Sequence, residues 1–541
     1  MKILYDADFT RVPEMGHVVV KFTITNGTET ELAWRATLVR NQYAYYSPPR
    51  FRGRGGSRPI SYRAEGPAMT VPAHATREFV VPLGLITSDS GFLELDGPHL
   101  NETRLHFEPH RTELLADSRL PAQFFEAWET LSSPSAGKGR YRTGDDLLTQ
   151  TVFPDDCRYY SGFRLVILRT TTWAELGSAQ RGAFRGYVAA GGVLVFVSGD
   201  DDPFPVPAEF GIAAVIGARL PGAMYGLGSI DAIATEPAQG AAGAQGLAKR
   251  LDVSSVPPWL DPLPDWLEAK LPRAALILVL LATAFLAGPG ALFWLAKRQQ
   301  RHRLFLVLPA VAIGTSVVLV GLILLSDGTG GDGRRAVLAA LVDGRPEMIV
   351  HQQQAVRCGF LLRGDFTVPA EARVEMDVPQ AMAGVFVANR RGEVCSGDWF
   401  RNRSATVQTL VHTVPTRAGL EIRRDPAGGV PSVVSTFPAP LRDLVVFVGG
   451  KMWRTALAEP GQPVRLELDE RDEERARMHL RSRLAGPFHR ELDHLFQGTA
   501  MADRFFAQTD RLDGAPIPTL ATIRWSDSVF VTGRVTEGGR P

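Results

Sequence analysis

The chain has 541 residues, enough for about three or four domains, and 45% of them are hydrophobic. Its 59 Lys and Arg offset 58 Asp and Glu, so no global field draws it to nucleic acid, and no nucleic-acid partner is expected. Three cysteines exclude a disulfide-dense scaffold.

Residues 1–103 alternate apolar and polar side chains in short runs broken by turn formers, as in His17 to Thr25, Ala33 to Val39, Glu78 to Leu83 and Phe92 to Leu95. That period of two predicts a small, immunoglobulin-like antiparallel β-sandwich. The basic, glycine-rich run Phe51 to Arg58 has the composition of an RNA-binding tract. The apolar hairpin at 273–325 and its basic connector put this flank outside the cytoplasm, where there is no RNA, so the run reads as a mobile hairpin loop.

Over 104–256 the period changes to an alternation of strand and helix. Phe163 to Leu168 is a continuous apolar strand, Thr172 is placed to cap a helix from Trp173, and Ser178 to cap the next. The second helix puts Phe184, Tyr187 and Val188 on one face and should stop at Gly191-Gly192, the first glycine turning left-handed. Val193 to Val197 is then a second buried strand, which predicts a right-handed βαβ unit in a doubly wound domain.

Two long apolar runs follow, 274–296 and 304–325, with no charge in either. At about 1.5 Å per residue each crosses the ~30 Å hydrocarbon layer, so residues 273–325 read as a two-helix transmembrane hairpin with the lipid bilayer as a partner. The connector 297–303 carries four fixed cations and no acid, which places it in the cytoplasm and both flanks outside. Trp259 and Trp266, in a Pro-rich linker over 257–272, are placed as outer interfacial anchors, and Trp294 as the inner one. Met1 opens almost directly into the strand-like run Val18 to Ile24. A flank as long as 1–272 needs an export signal, so the expectation is a start codon upstream or a signal peptide left off.

Residues 326–541 return to β patterning, as an extracytoplasmic β-rich domain. Leu444 to Val448 and Lys451 to Arg454 flank Gly449-Gly450, a two-residue hairpin signal, and Ala521 to Trp525 and Val529 to Val531 supply late strands. Asp469 to Leu484 is acidic first and basic last, as a helix dipole prefers, and reads as a helical insertion. Asp327 to Arg335 is glycine-rich, but it lacks both the preceding strand and the Gly-Lys-Ser/Thr of a phosphate loop. It reads as a flexible juxtamembrane linker. Cys358 and Cys395 share this oxidising flank, so a bridge between them is expected, worth about 3–4 kcal/mol if the geometry allows it.

Val152 to Asp156, Tyr159 to Leu168, Ser178-Ala179-Gln180 and Tyr187 to Val195 together resemble the glutamine-amidotransferase-like domains of uncharacterised bacterial membrane-anchored proteins. Gly288-Pro289 in the first span, the basic connector and Pro309 in the second are similar to the hairpin of the same group. The resemblance implies a class I, flavodoxin-like domain ahead of a membrane hairpin. Some of that broad group resemble auxiliary subunits of ABC-type exporters.

An amidotransferase needs a cysteine on a sharp strand-to-helix turn, and here that turn reads Arg169-Thr170-Thr171-Thr172. Cys157 precedes the strand, and histidine is absent between 111 and 301. Asp200, Asp201 and Asp202 follow the second strand at the edge where such domains bind ligands and are weak candidates for a hard cation, although consecutive side chains on a loop diverge. His489 and His494 are five apart, whereas zincin spacing needs four. No catalytic residue, cofactor or bound metal is expected. The reading is a multidomain α/β plus all-β protein of the bacterial inner membrane that binds or scaffolds a protein partner in the envelope. The alternative is an extracytoplasmic hydrolase of cell-wall or glycan material, using Asp200 to Asp202 or Asp155 and Asp156 as acids.

Overall fold

The computed structural model describes residues 2–5, 11–12, 16–45, 57–85, 91–98, 103–109, 114–120, 122, 124–126, 147–163, 165–198, 208–210, 223–234, 273–297, 304–369, 371–377, 388–423, 429–469 and 503–537. It is a mixed α/β structure, rich in sheet, and among the described residues two helices are long and apolar enough to cross a membrane.

The first part holds two sheets. One joins strands Lys2–Tyr5, Gly16–Thr25 and Thr76–Leu85; the other runs Arg11–Val12, Thr103–Pro109, Gly91–Asp96, Leu32–Tyr45, Ser57–Val71. Val20, Phe22 and Ile24 alternate inward from the first and meet Trp34, Leu38, Met69 and Val71 from the second, which is the period of two at work. Thr103–Pro109 carries the second sheet past residue 103. Leu32–Tyr45 and Ser57–Val71 pair as a long hairpin, and the Gly-rich tract between them lies outside the described residues.

A six-stranded sheet follows in the order Leu147–Gln150, Leu114–Asp117, Leu165–Arg169, Val193–Ser198, Gly228–Ala234, Ala223–Tyr225. All neighbours are parallel except the last pair. The helix after Leu165–Arg169 begins at Thr170, two residues before the expected cap, so Thr172 sits inside it. The next helix, Ser178–Ala189, is preceded by Gly177 in an extended conformation, whose N–H donates to Gln180 Oε1 at 2.9 Å; Ser178 is its first residue and not its cap. Its far end closes as expected. Gly191 has φ +110°, and the N–H groups of Gly191 and Gly192 donate to the carbonyls of Val188 and Tyr187 at 2.9 and 3.0 Å. Trp173 packs edge-on against Phe196 at 5.4 Å, and Tyr160 lies 4.4 Å from Phe184, filling the space between helices and sheet.

The first apolar segment is helical over Arg273–Phe285, widens to a π turn at Leu286–Gly290 and resumes over Ala291–Lys297. Pro289 lacks the N–H that an α turn would use, and the wider turn accommodates it. The second is one helix, Leu304–Asp327. Leu281, Phe293, Phe305 and Val317 are all exposed, the all-round apolar surface expected of helices solvated by lipid. Thr283 and Thr315 bring their hydroxyl oxygens within 2.9 Å across the pair.

Beyond the helices lies a nine-stranded sheet in the order Arg373–Asp377, Ala405–Pro415, Glu347–Cys358, Gly331–Leu341, Ile523–Arg534, Arg504–Thr509, Leu441–Val448, Lys451–Ala458, Glu467–Leu468. Gly449 and Gly450 make the predicted hairpin with φ of +60° and +71°, since a tight turn of this hand needs two left-handed residues. The expected helix Asp469 to Leu484 lies, but for its first residue, outside the described residues.

Asp327 to Arg335 corrects an expectation. It is no flexible linker, because the second apolar helix passes within four residues into Gly331–Leu341, a central strand of the large sheet. Its glycines serve close approach: a Cβ on Gly330 would meet the Thr522 carbonyl oxygen, and one on Gly333 the Trp525 ring. The charges are equally committed, with Arg335 gripping Asp527 through two bonds of 2.7 Å and Asp332 paired with Arg524 at 2.9 Å.

Alternate residues of that strand feed different cores. Leu338 and Ala340 join Phe184, Tyr225 and Ile230 of the parallel-sheet region, while Val337 and Ala339 join Leu420, Val433 and Phe505. At the sheet's other end Val356, Cys358 and Ile523 join Phe22, Trp34 and Met69 of the first sheets. The segments before and after the apolar helices therefore share two hydrophobic cores.

Candidate functional site

The six strands of the largely parallel sheet run second, first, third, fourth, sixth, fifth in chain order, so the direction of winding reverses between Leu114–Asp117 and Leu165–Arg169. Ligands of such sheets bind beyond the carboxyl ends of the strands at that reversal. The sequence reading missed what stands there: Asp117, at the end of the apolar run Leu114-Leu115-Ala116. A carboxylate closing a buried strand was the available signal.

Asp117 is fully buried. Its Oδ1 accepts the Arg119 N–H at 3.0 Å and its Oδ2 the Arg169 N–H at 3.4 Å. Arg119 pairs with Glu175, from the end of the helix beyond the third strand, and Ser118 and Thr151 join hydroxyls at 2.9 Å. The polar groups at the reversal thus bond to one another. Thr170 Oγ1 donates to the Val197 carbonyl at 3.4 Å, and the Thr172 hydroxyl is buried without a partner. No histidine is within this sheet to take a proton from either.

Cys157 lies on the short 3₁₀ turn Cys157–Gly162 ahead of the third strand. Exposed as a residue, it lies against Gly186, and its thiol is pushed up to about 11 by burial and then by the adjacent Asp156 carboxylate. Asp156 caps the turn by accepting the Arg158 N–H at 2.9 Å and holds the Arg158 guanidinium at 2.7 Å. Asp200, Asp201 and Asp202 lie outside the described residues, as do His489 and His494, Trp259 and Trp266. Among the described residues no three His, Cys, Asp or Glu side chains gather as metal ligands.

The bridge expected between Cys358 and Cys395 is not formed. Both are free thiols, 1% and 0% exposed, packed among Phe366, Trp399 and Leu410. They sit in different sheets, Cys358 opposite Gly331 and Cys395 opposite Phe366. Burial pushes each thiol up to about 12.

A second polar cluster joins three parts of the chain. His17 of the first sheet is 3% exposed and places Nδ1 3.3 Å from Ser161 Oγ, and the charges of Arg373, Arg390 and Arg158 act on it through space. Its imidazole is held well below the usual histidine range by burial and then by those guanidinium charges. An open cleft of about 420 Å³ lies elsewhere, lined by Pro415, Arg417, Thr436, Pro438, Leu512 and Asp513.

No family model matches the chain, and no curated protein does. Among solved structures it is similar to the yeast δ-COP-I μ-homology domain complexed with a Dsl1 WxWxV peptide, at 7% identity over 38% of this chain and 96% of that one, TM-score 0.17. It is also similar to a Paenibacillus cycloisomaltooligosaccharide glucanotransferase complexed with cycloisomaltoheptaose, at 10% identity over 39% of this chain and 29% of that one, TM-score 0.15. Neither likeness, at those scores, bears on fold or function.

Proposed function

We propose that the protein is a non-enzymatic, membrane-anchored scaffold of the bacterial envelope, both flanks lying outside the inner membrane and the connector 297–303 in the cytoplasm. One observation carries this reading: the flanks before and after the apolar helices share hydrophobic cores, so both belong on one side of the bilayer. The four cations of the connector choose which side. The strand order of the parallel sheet supports the amidotransferase-like resemblance, and the internal bonding of Asp117, Arg119 and Glu175 at its ligand edge supports a fold kept for contact. Flanks that share hydrophobic cores above a hairpin suit an accessory subunit of an ABC-type transporter, which would supply the transmembrane path that two helices lack.

The test is crosslinking in native membranes, then isolation of the protein under denaturing conditions. A discrete adduct with a second inner-membrane protein is expected. Purified protein that forms no adduct and instead cleaves cell-wall glycan would overturn the reading. Topology has its own test: with Cys157→Ser as background, cysteines at Gln299 and Lys451 should label oppositely with an impermeant thiol reagent on spheroplasts, only Lys451 reacting.

A further inference from the structure

The loop that follows strand Glu347–Cys358 is tied to the end of the second apolar helix. The Gly330 N–H donates to the Phe360 carbonyl at 3.0 Å, the Phe360 N–H to the Gly328 carbonyl at 3.0 Å, and the Gly359 N–H to the Gly330 carbonyl at 2.7 Å. A second loop is clasped to the first, with the Arg403 N–H donating to the Gly359 carbonyl at 3.1 Å and the Leu361 N–H to Asn402 Oδ1 at 2.7 Å.

Helix Leu304–Asp327 has 24 residues and, at 1.5 Å each, is about 36 Å long, against a hydrocarbon core of ~30 Å. A helix that enters the core at Leu304, just after the basic connector, leaves it near Leu324. Gly328 to Gly330 then lie in the headgroup layer, roughly 5–8 Å deep on each face, and Phe360 lies beside them. Phe360 is 41% exposed there and Leu362, two residues on, 87%, apolar surface that no described residue covers. The two loops, 359–365 and 400–404, carry Arg363, Arg401 and Arg403 against Asp365, with Asp398 just ahead of the second, so arginine is in excess by one. Exposed apolar tips ringed by arginine match the chemistry of an anionic bilayer surface, with acyl chains below and phosphates beside them.

We infer that the loops 359–365 and 400–404 form a lipid-binding foot, Phe360 and Leu362 entering the outer leaflet and the arginines contacting anionic headgroup phosphates. The inference rests on the membrane-anchored reading. Because the first loop is bonded to Gly328 and Gly330, between the helix and the strand that continues it, and the second loop to the first, the foot fixes the height and tilt of the large sheet over the membrane. Such a contact spares the anchor from acting as a hinge.

The experiment uses the full-length Cys157→Ser protein in nanodiscs of phosphatidylcholine alone or of equal parts phosphatidylcholine and phosphatidylglycerol. A polarity-sensitive fluorophore is placed at Leu362→Cys, at Val318→Cys within the second helix, and at Lys451→Cys, at the opposite end of the large sheet. Val318 should be quenched by lipids with a nitroxide deep in the chain. Leu362 should be quenched several-fold more than Lys451 by lipids with the nitroxide near the headgroup. Phosphatidylglycerol should strengthen the Leu362 signal, and Arg363→Glu with Arg403→Glu should remove that gain. Quenching at Val318 with Leu362 no different from Lys451 would overturn the foot while leaving the anchor standing, and would give the exposed tips to a protein partner. Absence of quenching at Val318 would overturn the anchor and the foot together.

Discussion

Arg391 Nη2 lies 2.8 Å from Glu65 Oε2, joining residues on opposite sides, in sequence, of the apolar hairpin. Glu65 also faces Arg35 at 3.7 Å, so one carboxylate serves two guanidinium groups from different sheets. The pair marks the seam between strand Ser57–Val71 and strand Ala388–Arg391.

The seam is held by its apolar contacts more than by this pair. Arg391 is 60% exposed, and a pair so open to water contributes at most about 1 kcal/mol. A double-mutant cycle with Glu65→Gln and Arg391→Met, read by urea denaturation of the full-length protein in detergent, should give a coupling within that limit that shrinks with added salt. Replacing Val356 by Ala, at 1% exposure in the core the two flanks share, should cost more, of order 1–2 kcal/mol. A larger coupling for the ion pair than loss at Val356 would reverse that ranking.

Cys358 and Cys395 should stay unmodified by bulky thiol reagents until the protein unfolds, while Cys157 reacts slowly. The pH dependence follows from their raised values. An unfolded thiol ionises near 8.5, whereas the buried ones hold their protons to about 12. The unfolded chain therefore binds fewer protons between those limits, and stability, complete below about 8.5, falls as pH rises through that window. Cys358→Ala with Cys395→Ala should flatten the alkaline slope. Mass spectrometry of oxidised protein showing the two residues bridged would contradict the structure.

Periodicity made the local elements readable. The apolar spans, the βαβ unit closed at Gly191 and the Gly449-Gly450 hairpin follow from local patterns, where each residue's environment is set by near neighbours. What joined those pieces was not readable. Arg391 and Glu65 are 326 positions apart, and nothing in either strand names the other. The Gly-rich run after Asp327 misled because glycine serves both a free linker and a backbone that other groups approach closely, as Thr522 and Trp525 do here. The two buried cysteines misled for a related reason: sharing a compartment and a region is not sharing a pair of facing strands. Asp117 showed in the sequence only as a carboxylate closing a short apolar run, and its burial at the winding reversal comes from the strand order.

His17 should make the union of the three regions sensitive to acid. Its folded value is depressed, so it contributes stability above the unfolded value of about 6.5, and that stability is lost as pH falls below it. Protonation would place a cation among Arg158, Arg373 and Arg390, with Asp156 already engaged by Arg158 and Glu375 by Arg373. His412, also lowered by burial, adds a second contribution. The informative quantity is therefore the difference between the wild type and His17→Gln in Tm measured across pH. The variant should be less stable near neutrality yet lose less on acidification, and parallel curves would remove His17 from the account.

The parallel-sheet region should be silent as a thiol enzyme. Cys157 precedes the third strand, and its thiol, pushed up to about 11, is overwhelmingly protonated near neutral pH and poorly nucleophilic. The strand-to-helix turn offers Thr170 and Thr172; the first donates to the Val197 carbonyl, the second is buried without a partner, and among the described residues neither hydroxyl bonds to a histidine or carboxylate. Cys157→Ser should leave partner crosslinking and membrane insertion unchanged and alter stability by less than about 1 kcal/mol, since a surface substitution of similar size leaves no cavity. Thr172→Val gives the sharper contrast. Replacing an unpartnered buried hydroxyl with an isosteric methyl removes a desolvated polar group and should stabilise the fold, by about 1 kcal/mol, with the same crosslinking pattern. A catalytic hydroxyl at that position would instead show lost activity without lost stability, and that outcome in either variant would make this region an enzyme.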